Sequence, residues 1–151
     1  MSISEMYSRI DAFRDKECGG GATDVEIFKA ENSLMTPFSE SYRSFLRKIG
    51  WGRFSHEELY GLGSDIPPYL ELVKNTLVER DTMGPLMPLH LIPVMNDGAG
   101  NHFCLDTSLF ADDECPVVFW DHEQGVNQKP ELIASSFDKW IVDLLAELSF
   151  A

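Results

Sequence analysis

The chain has 151 residues, 44% apolar and 25% charged, a composition ordinary for a soluble globular protein, and one domain over residues 1–151 is expected. Its 25 acidic against 12 basic side chains give a net charge of −13. That opposes nucleic acids and anionic membrane surfaces, both of which are bound by lysines and arginines.

The three cysteines, Cys18, Cys104 and Cys115, are irregularly spaced and form no CxxC, so neither a disulfide framework nor a zinc knuckle is indicated. The opening MSISEMYSRIDAF is broken early by acidic residues and does not read as a secretory signal. No apolar run approaches the roughly 18–20 residues of a membrane span. A cytoplasmic protein in a reducing setting is therefore expected. The acidic balance would attract a basic partner, although charge of this kind also serves solubility alone.

In chain order, Ile3, Met6, Tyr7, Ile10 and Phe13 form one stripe and predict a helix over Ile3–Cys18. Ser2 and Glu5 have capping-box spacing at its start, and Gly19-Gly20-Gly21 stop it. Thr23 and Glu26 repeat that spacing, opening a second helix that Ile27, Phe28, Glu31 and Leu34 carry on to Thr36-Pro37. A third is predicted over Ser39–Ile49, with Tyr42, Phe45, Leu46 and Ile49 on one face and Gly50 as its cap. Trp51–Gly63, rich in aromatics and glycine, reads as irregular strand. Pro67-Pro68 can open a fourth helix, with Leu70, Val73 and Leu77 at helical spacing up to Asp81.

Met83–Pro88 reads as a loop and Leu89–Met95 as a strand. Asn96–Gly100 is a turn in which Gly98 and Gly100 supply positive φ, and Asn101–Asp106 returns. Pro116–Asp121 lacks polar alternation, so both its faces are expected to be buried. Ser135 or Ser136 caps a last helix carrying Phe137, Trp140, Ile141, Leu144, Leu145 and Leu148.

His102, Cys104 and Asp106 alternate on the returning strand and raise the question of chemistry. Alternate strand residues share a face with Cα atoms roughly 6.5–7 Å apart, whereas a nucleophile and its base must meet within about 2.6–3.2 Å. Parallel side chains on one strand meet that need poorly. A zinc site drawing on His102, Cys104, His90 or His122 lacks paired ligand spacings, and NDGAGN lacks the acidic alternation of a calcium loop. No catalytic residue, metal or cofactor is therefore expected. The acidic residues Glu57, Glu58, Asp112, Asp113, Glu114 and Glu123 fall in or beside predicted loops. They read either as solvated surface or as carboxylates presented to a basic partner.

Four blocks, in order, resemble the SMI1/KNR4 (SUKH) superfamily: PFSESYRSFLRKIGWGRF (37–54), LIPVMNDGAGNHFCLDT (91–107), CPVVFWDHE (115–123) and ASSFDKWIVDLL (134–145). Thr36-Pro37-Phe38 stands where that family has leucine-proline, and Gly63–Pro88 is matched to none of these blocks. The resemblance implies an α+β fold with a twisted, mainly antiparallel sheet packed by N-terminal and C-terminal helices. It implies fold-determining roles for Tyr42, Phe45, Gly50, Gly98, Gly100, Asp106, Trp120, Phe137 and Trp140. It also implies a non-enzymatic role: either an immunity protein that neutralises a toxin, often a nuclease, of a contact-dependent or polymorphic system, or a general regulatory interaction module. The partner expected is a basic toxin domain or another protein, and the chain itself is expected to be a monomer or weak homodimer.

Overall fold

The computed structural model describes residues 2–82 and 84–150. Ser2's side chain, and with it the Ser2–Glu5 capping box, lies outside the described residues, as does Met83 of the predicted 83–88 loop.

The first helix, α1, spans Ser2–Ala12 and stops well short of the predicted Cys18. Lys16–Cys18 instead form strand β1, paired antiparallel with β2 (Gly52–Phe54). Phe13 leaves the helix to meet Phe54 edge-on at 6.0 Å, and the Lys16 ammonium caps the helix end by donating to the Phe13 carbonyl at 2.7 Å. A partner strand thus ends a helix that local periodicity would continue.

Helix α2 (Asp24–Leu34) has the predicted capping box: the Glu26 amide donates to the Thr23 hydroxyl and the Thr23 amide to the Glu26 carboxylate. Helix α3 (Glu40–Lys48) is capped by Ser39 and ends at Ile49, with Gly50 beyond it at φ +84°. β3 (Glu57–Leu59) completes a hairpin with β2. A 3₁₀ turn at Pro68–Leu70 then leads into α4 (Leu72–Asp81).

The prolines open that 3₁₀ turn, not α4, whose cap is the Glu71 carboxylate. Its buried face is Leu72, Thr76 and Arg80, where Leu70, Val73 and Leu77 had been expected; Leu70 is buried in the turn and Leu77 is exposed. Two polar residues face inward with most of their polar atoms partnered, the Arg80 Nε being the exception. The Thr76 hydroxyl donates to the Leu72 carbonyl, and the Arg80 guanidinium donates to the carbonyls of Leu34 at 2.7 Å and Leu89 at 2.8 Å.

Four more strands follow: β4 (Leu91–Asn96), β5 (His102–Asp106), β6 (Val117–Trp120) and β7 (Glu131–Ala134), then helix α5 (Phe137–Ser149). β4 begins two residues after the predicted start, leaving Leu89 exposed, and β7 was not foreseen. Each strand pairs antiparallel with the next, giving a seven-stranded open sheet in the order β1 to β7. The fold is α+β, as the resemblance implied.

The main core lies on one sheet face, where Met6, Ile27, Tyr42, Phe45, Phe137 and Trp140 from the helices meet Phe54, Leu59, Ile92, Leu105 and Val117 from the strands. Tyr42 is fully buried against Phe38 and Phe137, and its hydroxyl donates to the Tyr60 carbonyl at 3.1 Å. Trp140 stacks on Phe103 at 5.5 Å. A smaller core of Met87, Leu91, Cys104, Val118 and Trp120 covers the opposite face. The Asp106 carboxylate accepts from both the amide and the hydroxyl of Ser108, tying down the turn after β5.

Backbones approach closely where α3 runs into the sheet. A Cβ on Gly61 would lie 1.7 Å from the Gly50 carbonyl oxygen, whereas one on Gly98, at φ +84°, would meet open space. The two glycines should therefore respond differently to alanine. Gly61→Ala should cost on the order of 3 kcal/mol or prevent folding, because backbone must move. Gly98→Ala should cost only about 1 kcal/mol, the penalty of the left-handed conformation. Urea unfolding of both variants tests this, and equal losses would contradict it.

Candidate protein-interaction surface

β5 sets His102, Cys104 and Asp106 on one face, as strand geometry requires, but the face is buried. Cys104 sits among Met87, Leu91, Val118 and Trp120 with no exposed surface, and burial pushes its thiol well above the ordinary range. His102 is 5% exposed, and burial pushes its imidazole down to about 4. Asn96 donates to the Tyr60 oxygen, which leaves the Tyr60 hydroxyl free to donate to His102 Nε2 at 3.5 Å. His102 Nδ1 faces Glu79 Oε1 at 3.8 Å, beyond hydrogen-bond reach. A thiol held protonated inside an apolar cluster is not a nucleophile. Among the described residues no three His, Cys, Asp or Glu side chains gather as metal ligands do.

The acidic residues fall at two ends of the sheet. The pairing of Leu59 with Met95 and of His102 with Trp120 puts Glu57, Glu58 and Glu123 at one end. Asp112, Asp113 and Glu114, between β5 and β6, lie at the other. Glu17, Arg53 and Glu58 sit opposite one another across β1, β2 and β3, so Glu58 has a cation between it and the next carboxylate. It also accepts from the Tyr69 hydroxyl. Glu57 is half-buried and Glu123 exposed.

Glu114 faces inward. Its two carboxylate oxygens accept from the amide and the hydroxyl of Ser41, at 2.9 and 2.7 Å, in the first turn of α3. It serves there as a carboxylate at a helix N-terminus. Asp112 and Asp113 remain exposed on a turn closed by Ala111 and Glu114.

Phe28, expected on the stripe of the second helix, is exposed because the buried side of α2 is Ile27, Ala30 and Leu34; the exposed Met35 and Phe110 were not singled out from the sequence. A signal for Phe28 and Met35 was present: Val25, Phe28 and Met35 recur on the side of α2 away from Ile27, Ala30 and Leu34. Among the described residues, no helix is long and apolar enough to cross a membrane.

Fold and surface together define a small α+β domain built on an antiparallel meander, with His102 and Cys104 buried inside it. The SUKH_5 family model, described as SMI1-KNR4 cell-wall, matches residues 3–146. The chain belongs to this SMI1/KNR4 family.

The buried imidazole gives a signature in stability against pH. The unfolded chain takes up a proton on His102 near the ordinary 6.5, which the native state refuses until about 4. Native stability should therefore fall as pH drops from about 6.5 towards about 4, with the His102 contribution on the order of 3 kcal/mol at the lower end. Burial raises the Glu79 carboxyl, which acts in the opposite sense and returns part of the loss at the acid end. Urea unfolding across this range should show a shallower slope for His102→Asn than for the native chain. Identical slopes would place the pH dependence elsewhere.

Proposed function

We infer that this domain is a non-enzymatic protein binder, an immunity protein that neutralises a cognate toxin of a contact-dependent or polymorphic toxin system. The observation that carries this is a net charge of −13 on a member of the SMI1/KNR4 family. Charge of that sign favours a basic partner and raises its rate of encounter. A nuclease domain is basic because it binds phosphates, and carboxylates can occupy the same cationic groove. Occlusion needs no chemistry from the binder, in keeping with the burial of Cys104 and His102.

The test is a pull-down from the native cells at low and moderate salt, with mass spectrometry of the retained proteins. A stoichiometric basic protein carrying a nuclease-like domain is expected. Its association rate should drop several-fold between about 20 and 200 mM salt, since screening shortens the reach of the field. Retention of several unrelated regulatory proteins would instead favour a general interaction module. A salt-insensitive rate would remove electrostatic steering from the account.

A further inference from the structure

Helix α2 has two apolar sides. Ile27, Ala30 and Leu34 enter the core. Phe28 and Met35, on another side, are 61% and 78% exposed. A surface helix ordinarily keeps its outer side polar. Here that side opens on a two-part cleft. One part, about 360 Å³, is walled by Phe28, Met35 and Pro37. The other, about 410 Å³, is walled by Pro37, Phe110, Asp112 and Asp113.

Arg43 lines both parts, but its charge is committed. Its guanidinium donates to the Glu31 carboxylate at 2.7 Å and to the Phe38 carbonyl at 3.2 Å. Asp112 and Asp113 form no ion pair among the described residues. The floor is thus neutralised while the rim keeps two free carboxylates.

Three of the four non-glycine residues described at positive φ stand on this rim: Met35 at +62°, Asp112 at +52° and Asp113 at +64°. Met35 follows α2 in a Schellman turn, its amide donating to the Asn32 carbonyl and that of Thr36 to the Glu31 carbonyl, each at 3.2 Å. Glycine is the usual residue there. Asp112 and Asp113 are the central pair of a two-residue turn in which Asn-Gly or Asp-Gly is usual, so Asp113 stands where glycine is favoured. The chain thus keeps an exposed thioether at Met35 and an exposed carboxylate at Asp113 where the backbone favours glycine. Such cost tends to concentrate at functional sites.

We propose that this cleft docks the basic partner, receiving a segment in which an aliphatic or aromatic side chain stands beside a lysine or arginine. The apolar side chain fills the part between Phe28, Met35 and Pro37. The cation meets Asp112 and Asp113. Apolar anchors rimmed by polar groups are the usual anatomy of a protein interface. Charge decides between occupants: an acidic segment, or a second copy of this chain, meets repulsion from the rim and from the net charge of −13. The proposal rests on the reading of this domain as a binder of a basic protein. It puts the contact here and not at Glu57, Glu58 and Glu123.

The probe is a synthetic octapeptide alternating arginine with leucine and phenylalanine, titrated into ¹⁵N-labelled protein. One control replaces its arginines by glutamates, the other its apolar residues by serine and glycine. The first peptide should shift the amides of Phe28, Met35, Thr36 and Phe110–Asp113, and each control should bind at least about 10-fold more weakly. Met35→Gly should keep or raise Tm, because glycine suits the left-handed position, and weaken binding about 5-fold or more. Asp112→Asn with Asp113→Asn should weaken it similarly and flatten its salt dependence. Absence of shifts at the cleft, shifts centred on Glu57 and Glu58, or unchanged affinity in these variants would each overturn the proposal.

Repeating the pull-down with the Met35→Gly chain separates the two readings. A basic protein retained equally by both baits would overturn the placement and leave the function standing. No basic protein with either bait would overturn the function, while the peptide result would still decide the cleft.

Discussion

The close crossing of backbones at Gly50 and Gly61 is the constraint on which the rest of this fold depends. The Leu62 amide donates to the Gly50 carbonyl at 2.9 Å, and the Gly21 amide to the Ile49 carbonyl at 3.0 Å. The Leu72 amide donates in turn to the Gly61 carbonyl at 2.9 Å. One junction therefore fixes the approach to α2, the end of α3, the exit from the β2–β3 hairpin and the start of α4. A side chain at Gly61 would separate them. With the junction closed, the Tyr60 carbonyl comes within reach of the Tyr42 hydroxyl, which satisfies the central polar atom of an otherwise apolar core.

The sheet is covered unequally, and this decides what can be functional. One face carries a large core under four helices. The other carries a small core in which Cys104 is apolar filling and His102 a neutral, half-partnered imidazole. Desolvation takes the thiol and the imidazole in opposite directions, each towards its uncharged form, and so removes the pair as a reactive unit. Most of the acidic side chains lie instead on the surface.

Those side chains do not all do the same work. Glu114 and Glu71 sit at helix starts, Glu31 holds Arg43, and Glu58 shares its surroundings with Arg53 and Tyr69. Each is partly neutralised by what it holds. Asp112 and Asp113 form no ion pair among the described residues, and Asp113 stands where the turn favours glycine. A carboxylate that stabilises the fold and one left free for a partner look alike in composition, and differ only in what lies within about 3 Å.

What the amino-acid order by itself determined was local or repetitive. The stripes of α3 and α5, the Thr23–Glu26 capping box that opens α2, the glycine turn between β4 and β5, and the family blocks were all legible, because each is set by spacing along the chain. The tertiary structure alone decided where α1 ends, which side of α4 faces inward, that residues 131–134 complete the sheet, and that Glu114 caps α3. In every such case the deciding partner lies far away in sequence: β2 for residues 16–18, the Leu34 and Leu89 carbonyls for Arg80, β6 for residues 131–134, Ser41 for Glu114. The cleft beside α2 belongs to this second group. Its two walls are more than 70 residues apart, and they meet because the turn after β5 packs over the start of α3, where the Glu40 amide donates to the Asp113 carbonyl. Hydrogen bonds and packing across such separations leave no periodic trace in the sequence.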